Sequence, residues 1–183
     1  KQKVIAISYG TMFAIISAMW CIGRALTWAK NKRVSWRREL QLLLVYICIV
    51  VIVRFTFCPF GKVDGQIQPL LFDAEKILPF RINLLPLVHL FDYEIMSEAV
   101  LNLVGNTLMF VPVGIVYPIV YKKLDTHAKA IAAGVGFSLT IEILQLPFFD
   151  RVSDVDDLIL NSLGYALGYL IYLGVKRIID KKG

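Results

Sequence analysis

Apolar residues fall into five long runs, at residues 4–22, 40–57, 99–120, 130–146 and 158–175. A helix rising 1.5 Å per residue crosses about 30 Å of hydrocarbon in roughly 20 residues, so each run predicts a membrane span. Lys1 and Lys3 ahead of the first run suit a cleaved signal peptide. The run is longer than a usual signal core, and Arg24 stands where a small-residue cleavage site belongs, so a retained helix is expected. The long connection at 58–96 is different: its apolar residues are broken by Pro69, Pro79 and Pro86. Prolines at that density stop a continuous helix. An interfacial or re-entrant segment is expected there. The prediction is one all-α integral membrane domain over 1–183.

Polar residues inside the apolar runs carry more information than the runs themselves. Ser138, Glu142 and Gln145 stand at i, i+4 and i+7 near the end of the fourth run. Asp154, Asp157, Asn161, Gly164 and Gly168 stand at i, i+3, i+7, i+10 and i+14 into the fifth. Each set keeps to one side of a 3.6-residue helix. The two polar stripes can therefore meet, with Leu158, Leu160 and Leu163 looking elsewhere, and Gly164 and Gly168 letting a backbone approach. An ionisable residue at mid-membrane costs about 2.5 to 3.5 kcal/mol, which makes Glu142 a functional-site candidate. Asn102 and Asn106, four apart in the third run, suit bonds between helices or to a ligand. Pro112 is expected to kink that run, and Gly134 and Gly136 to allow close approach in the fourth. Arg54 either snorkels to the interface or lends a cation to the site. Arg81 and Asn83 of the interfacial segment reach inward in one reading and face headgroups in the other.

The acids of the 147–157 turn have a plainer explanation. Ser153 with Asp156 three residues on fits a capping box, and acids in a first helical turn favour the macrodipole. That covers Asp154, Asp156 and Asp157 without a ligand. It does not cover Glu142, Gln145 or Asn161. For Glu142 the plain alternative is an ion pair with Arg151 or Arg54, serving packing alone.

Composition agrees with the pattern: 57% of the 183 residues are hydrophobic, and the mean hydropathy is +0.66. The net charge of +6 reports orientation rather than nucleic-acid binding, since no soluble basic domain accompanies it. With five spans, thirteen Lys and Arg fall on the side of the 24–38 loop, the 121–129 turn and the tail, against six on the other. The first side is expected to be cytoplasmic, the N-terminus outside, and the acid-rich turn open to the extracytoplasmic face. Cys21, Cys48 and Cys58 lie in or beside apolar runs without a CxxC spacing and are expected to be small buried residues. His89 and His127 stand alone, so no metal and no cofactor are expected.

Four pieces now in hand resemble the VanZ-like family of bacterial membrane proteins. They are RINLLPL at 81–87, NLVGNTLMFVPVG at 102–114, SLTIEILQL at 138–146 and RVSDVDDLILNSLGYALGY at 151–169. The ordered set, from about residue 81 to 175, is what makes the resemblance specific. It implies a multi-pass protein of the bacterial cell membrane, in a family whose founding member is associated with teicoplanin resistance. It also implies a common site at Arg81, Asn83, Asn102, Asn106, Glu142, Gln145, Arg151, Asp154, Asp157 and Asn161.

Two functions fit such a site. In the first it binds an amphiphile at the outer leaflet, a lipoglycopeptide tail or a polyprenyl-linked cell-wall precursor. Arg54, Arg81 and Arg151 then meet phosphate or carboxylate oxygens, and the amides orient the ligand. In the second it is an enzyme on a lipid-linked substrate. Glu142 in an apolar helix and Asp154 or Asp157 in a wetter turn are two carboxyls in contrasting environments, as acid–base chemistry needs. The absence of a nucleophile motif, metal-ligand set or nucleotide loop lowers the second. Proton-coupled transport through Glu142 is weaker still, without a visible inverted repeat.

Overall fold

The computed structural model describes residues 4–58, 62–63, 66–73, 78–86, 96–148 and 151–182. Five helices are long and apolar enough to cross a membrane: α1 (Tyr9–Asn31), α2 (Trp36–Phe57), α3 (Met96–Val120), α4 (His127–Gln145) and α5 (Val155–Asp180). Large apolar side chains such as Met19, Leu26, Leu108 and Leu170 point outward from them. In water that would be a fault; in hydrocarbon it is the face lipid covers.

Among the described residues, six short strands join the helices. They are β1 (Val4–Ile7), β2 (Lys62–Val63), β3 (Gln66–Ile67), β4 (Leu70–Asp73), β5 (Ile82–Asn83) and β6 (Ser153–Asp154). The first span was expected to begin at residue 4. Instead Val4–Ile7 pairs antiparallel with Leu70–Asp73, and the helix begins after Ser8, whose hydroxyl accepts from the Thr11 N–H at 3.2 Å. A β-branched stretch before a serine cap suits strand as well as helix, and a partner strand decides it. The described parts of 58–96 ahead of α3 are short strands and bends, with no helix among them. Residues 87–95, with His89, lie outside the described residues.

The chain divides into two compact units. The first comprises residues up to Pro79 with Pro147–Arg151, the second Phe80–Leu146 with Val152–Gly183. In the first, α1 extends to Asn31, so Arg24 and Lys30 belong to the helix rather than to the expected loop. Arg24 meets Glu39 of α2 through two bonds, at 2.8 and 2.5 Å. Tyr46 of α2 bonds Ser17 at 2.7 Å and packs on Trp20. Cys48 and Cys58 are buried as expected, but Cys21 is exposed on α1.

The second unit is a three-helix sheaf with α5 at its centre. Gly164 and Gly168 of α5 lie on the Thr107 and Val111 carbonyls of α3, and Gly114 lies on the Tyr165 carbonyl. A Cβ at any of the three would overlap a backbone oxygen. Contacts advance in the same direction along both helices, so α3 and α5 run parallel. Close parallel contact through small residues is a membrane packing mode. Helix α4 runs antiparallel to α5: Gly134 sits on the Tyr165 ring, and His127 bonds the Tyr169 hydroxyl at 2.9 Å. Gly136, expected to make a close approach, has open space beside it. Helix α3 continues through Pro112 and Pro118.

Candidate functional site

The expected polar stripe on α4 is buried: Ser138 is fully enclosed, Glu142 is 3% exposed and Gln145 4%. Facing it on α5, Asn161 is 2% exposed, and its Nδ2 donates to Ser138 Oγ at 3.1 Å. The stripes therefore meet as their spacing requires. Leu160, expected to look away, is also buried, whereas Leu163 is exposed. The helix face in contact is wider than the polar stripe, because α5 is covered by both α3 and α4.

The turn after α4 folds back onto Glu142. Its Oε2 accepts from Ser153 Oγ at 3.2 Å and from the Asp154 N–H at 3.0 Å. No cation is among these bonds. Strand β6 is held in place by β5, in a parallel pair whose register is Ile82 to Ser153 and Asn83 to Asp154. The Ser153 N–H donates to the Arg81 carbonyl at 3.0 Å. Here the expected cap must be corrected. The N-cap of α5 is Asp154, not Ser153: its Oδ1 accepts from the Asp156 N–H at 2.9 Å. Serine and aspartate cap about equally well, so the sequence leaves the register open by one residue. Pairing with β5 turns the Ser153 hydroxyl to Glu142 and gives Asp154 to the helix. Asp156, assigned to capping, is buried in the first turn instead.

Both remaining acids are gripped by amides. Asn83 Nδ2 donates to Asp154 Oδ2 at 3.0 Å, and Asn83 Oδ1 accepts from the Leu85 N–H at 3.1 Å. Asn106 Nδ2 donates to Asp157 Oδ1 across α3 and α5, and to Asn102 Oδ1 at 2.5 Å within α3. The unit thus gathers Asn83, Asn102, Asn106, Glu142, Gln145, Asp154, Asp157 and Asn161 at one end. Arg81 contributes its carbonyl, while its side chain is exposed. Arg54 and Arg151 belong to the first unit. There Arg54 Nη1 donates to the Cys58 carbonyl at 2.9 Å, closing the end of its own helix, and its guanidinium lies over the Tyr9 ring.

Glu142 Oε1, Asn161 Oδ1 and the Tyr165 hydroxyl are buried without a hydrogen-bond partner among the described residues. An unmet buried polar atom costs about 1 to 3 kcal/mol. Native structures keep few of them, and each calls for an explanation such as a bound molecule. Tyr165 is a residue the sequence pattern did not single out. Its signal was Gly134, a small residue on the facing helix that leaves room for the ring. Ser153 was missed as a partner of Glu142 because it read as a cap. No group of three or more metal-ligating side chains occurs among the described residues.

Chemically, the cluster offers the Glu142 carboxyl with one oxygen engaged and one without a partner among the described residues. It suits a ligand rich in hydrogen-bond donors, such as hydroxyls or amide N–H groups. Both oxygens of Asp154 already accept bonds, from Asn83 Nδ2 and from the Asp156 N–H.

A protein-family model described as VanZ/LLP1 matches residues 43–178, from within α2 to near the end of α5. The protein called Protein VanZ, from Enterococcus faecium, is 32% identical over 82 residues. That alignment covers 44% of this chain and 50% of the relative, so the chain spans about half the length of that protein. No solved structure matches.

Proposed function

This chain belongs to the VanZ/LLP1 family, and from that premise we propose that its polar cluster binds the head of a lipid-linked or lipoglycopeptide ligand. The observation that carries the reading is Glu142. It is a buried carboxyl near the end of a membrane helix, fixed through Oε2, with Oε1 unmet among the described residues. A purely structural acid would have both oxygens satisfied. Lipoglycopeptides and polyprenyl-linked cell-wall precursors both join an acyl or prenyl chain to sugars and peptide, which supply donors for Oε1. The distribution of Lys and Arg supports an outward-opening site in the cell membrane, where such ligands are met. In this reading the protein contributes to glycopeptide resistance, teicoplanin above all.

Teicoplanin tolerance of cells with and without the protein tests it, at equal membrane abundance of each variant. Glu142→Gln is the informative substitution. The amide oxygen still accepts from Ser153 and Asp154, while an NH2 replaces the open acceptor. Stability is expected to stay near wild type and tolerance to fall to the level of cells lacking the protein. Glu142→Ala is expected to lose tolerance and also about 1 to 3 kcal/mol of stability, because the Asp154 N–H is left unmet. Tolerance that is unchanged by Glu142→Gln would overturn the resistance reading.

A catalytic role on a lipid-linked substrate is the second reading. It is favoured by three carboxyls near one another, Glu142 beside Asp154 and Asp157 one turn on. It is weakened by the full engagement of Asp154. Turnover of labelled polyprenyl phosphate or phospholipid by the purified protein, abolished by Glu142→Gln, would put it first.

A further inference from the structure

A cavity of about 570 Å³ opens at the other end of the second unit, between the α3–α4 turn and the last turns of α5. All of its lining residues belong to that unit. Its wall carries Lys122, Lys176 and His127, with Tyr169, Tyr172 and Leu173 forming the apolar side. Neither lysine has an ion-pair partner among the described residues. Asp125 also lines the cavity, but Lys129 bonds it at 2.7 Å and holds its carboxyl below the usual range. The wall's one acid is thus compensated, and its two ammonium charges are not. His127 Nδ1 is taken by Tyr169, which leaves Nε2 for a ligand.

Position and size narrow the ligand. From Asp157 to Lys176, α5 rises about 28 Å, close to a hydrocarbon thickness. The cavity therefore lies at headgroup depth on the side opposite the Glu142 cluster. Tyrosines at that depth form the usual interfacial belt. A space of this volume exceeds what one inorganic anion fills. We propose that it binds a phosphate group, carried by an anionic phospholipid of the leaflet on this side. Lys122 and Lys176 meet the phosphate oxygens, His127 Nε2 adds a bond, and Tyr172 and Leu173 pack against the glycerol. Basic recesses between membrane helices hold headgroups in this way. Free inorganic phosphate shares the chemistry and is the other source to distinguish.

The test uses the full chain purified in a neutral, phosphate-free detergent. Phosphatidylglycerol, phosphatidylcholine of the same acyl chains, or inorganic phosphate is added, and the concentration that half-maximally raises Tm is read. Phosphatidylglycerol is expected to act at the lowest concentration. A lysine near an anionic headgroup is worth about fivefold, so K122Q/K176Q should weaken that effect by roughly 25-fold. K181Q/K182Q, which removes equal charge from the tail outside the cavity, should leave it intact. Phosphatidylcholine as effective as phosphatidylglycerol, or K122Q/K176Q behaving as wild type, overturns the proposal. So does an equal loss in K181Q/K182Q, which would mean diffuse attraction. Inorganic phosphate matching the lipid would overturn the lipid source and leave the free anion as ligand. Should K122Q/K176Q fail to fold, the single variants K122Q and K176Q carry the same comparison.

Discussion

At the scale of single residues, the second unit depends on atoms that are not there. Gly164, Gly168 and Gly114 each place an α-carbon where a side chain would strike a neighbouring carbonyl. Gly136, two residues from the contact-making Gly134, faces open space. Gly164→Ala should therefore destabilise by about 1 to 3 kcal/mol, the cost of forcing backbones apart in a packed site. Gly136→Ala should be neutral or slightly favourable, since alanine is the better helix former. Thermal unfolding of the two variants in detergent checks the contrast, and equal effects would show that the α3–α5 contact is looser than described. The glycines at 164 and 168 were readable from their spacing. The failure at Gly136 was not avoidable from sequence: which of two nearby glycines meets a helix depends on a rotation of α4 that only the partner's shape sets.

At the scale of elements, the decisive piece is the two-residue pairing of β5 with β6. It brings a segment 71 residues distant into the entry of α5. It also chooses between two chemically equivalent caps. Asp154→Ala should cost about 0.5 to 2 kcal/mol for the lost cap, and more if the Asn83 amide is left without its acceptor. Ser153→Ala removes one bond to Glu142 and leaves the cap intact, so it should cost less. The opposite ranking in thermal unfolding would restore Ser153 as the cap. This is where sequence reading was least effective. Helix faces follow from a fixed period, which a single chain displays. A short parallel strand pair has no period to read, and residues 82–83 gave no sign of their partner. The same blindness explains the first span, where an apolar start was taken into the helix although a partner strand claims it.

At the scale of the whole molecule, five spanning helices and the grouping of Glu142, Asn161, Asn106 and Asp157 were legible in advance. Buried polar residues inside apolar runs are costly enough that a chain keeps few of them, so those few tend to congregate. The sidedness of the protein is proposed from its cations. Single cysteines can check it in a background lacking Cys21, Cys48 and Cys58. A cysteine at the exposed Val152 should react with a membrane-impermeant maleimide in intact cells. One at Lys182 should react only after permeabilisation. The reverse pattern would put the Glu142 cluster on the cytoplasmic face and remove the outer-leaflet ligand.

The carbonyl-on-glycine seating of α5 against α3 has one more effect. It works like a toothed rack, indexing one helix to the other residue by residue. Inserting a single amino acid between Thr107 and Val111 would turn the rest of α3 by about 100° and offer bulky groups to glycines that admit none. Sliding by less than a full turn is barred for the same reason. Any motion that links the two ends of this sheaf must therefore carry α3 and α5 together as one rod.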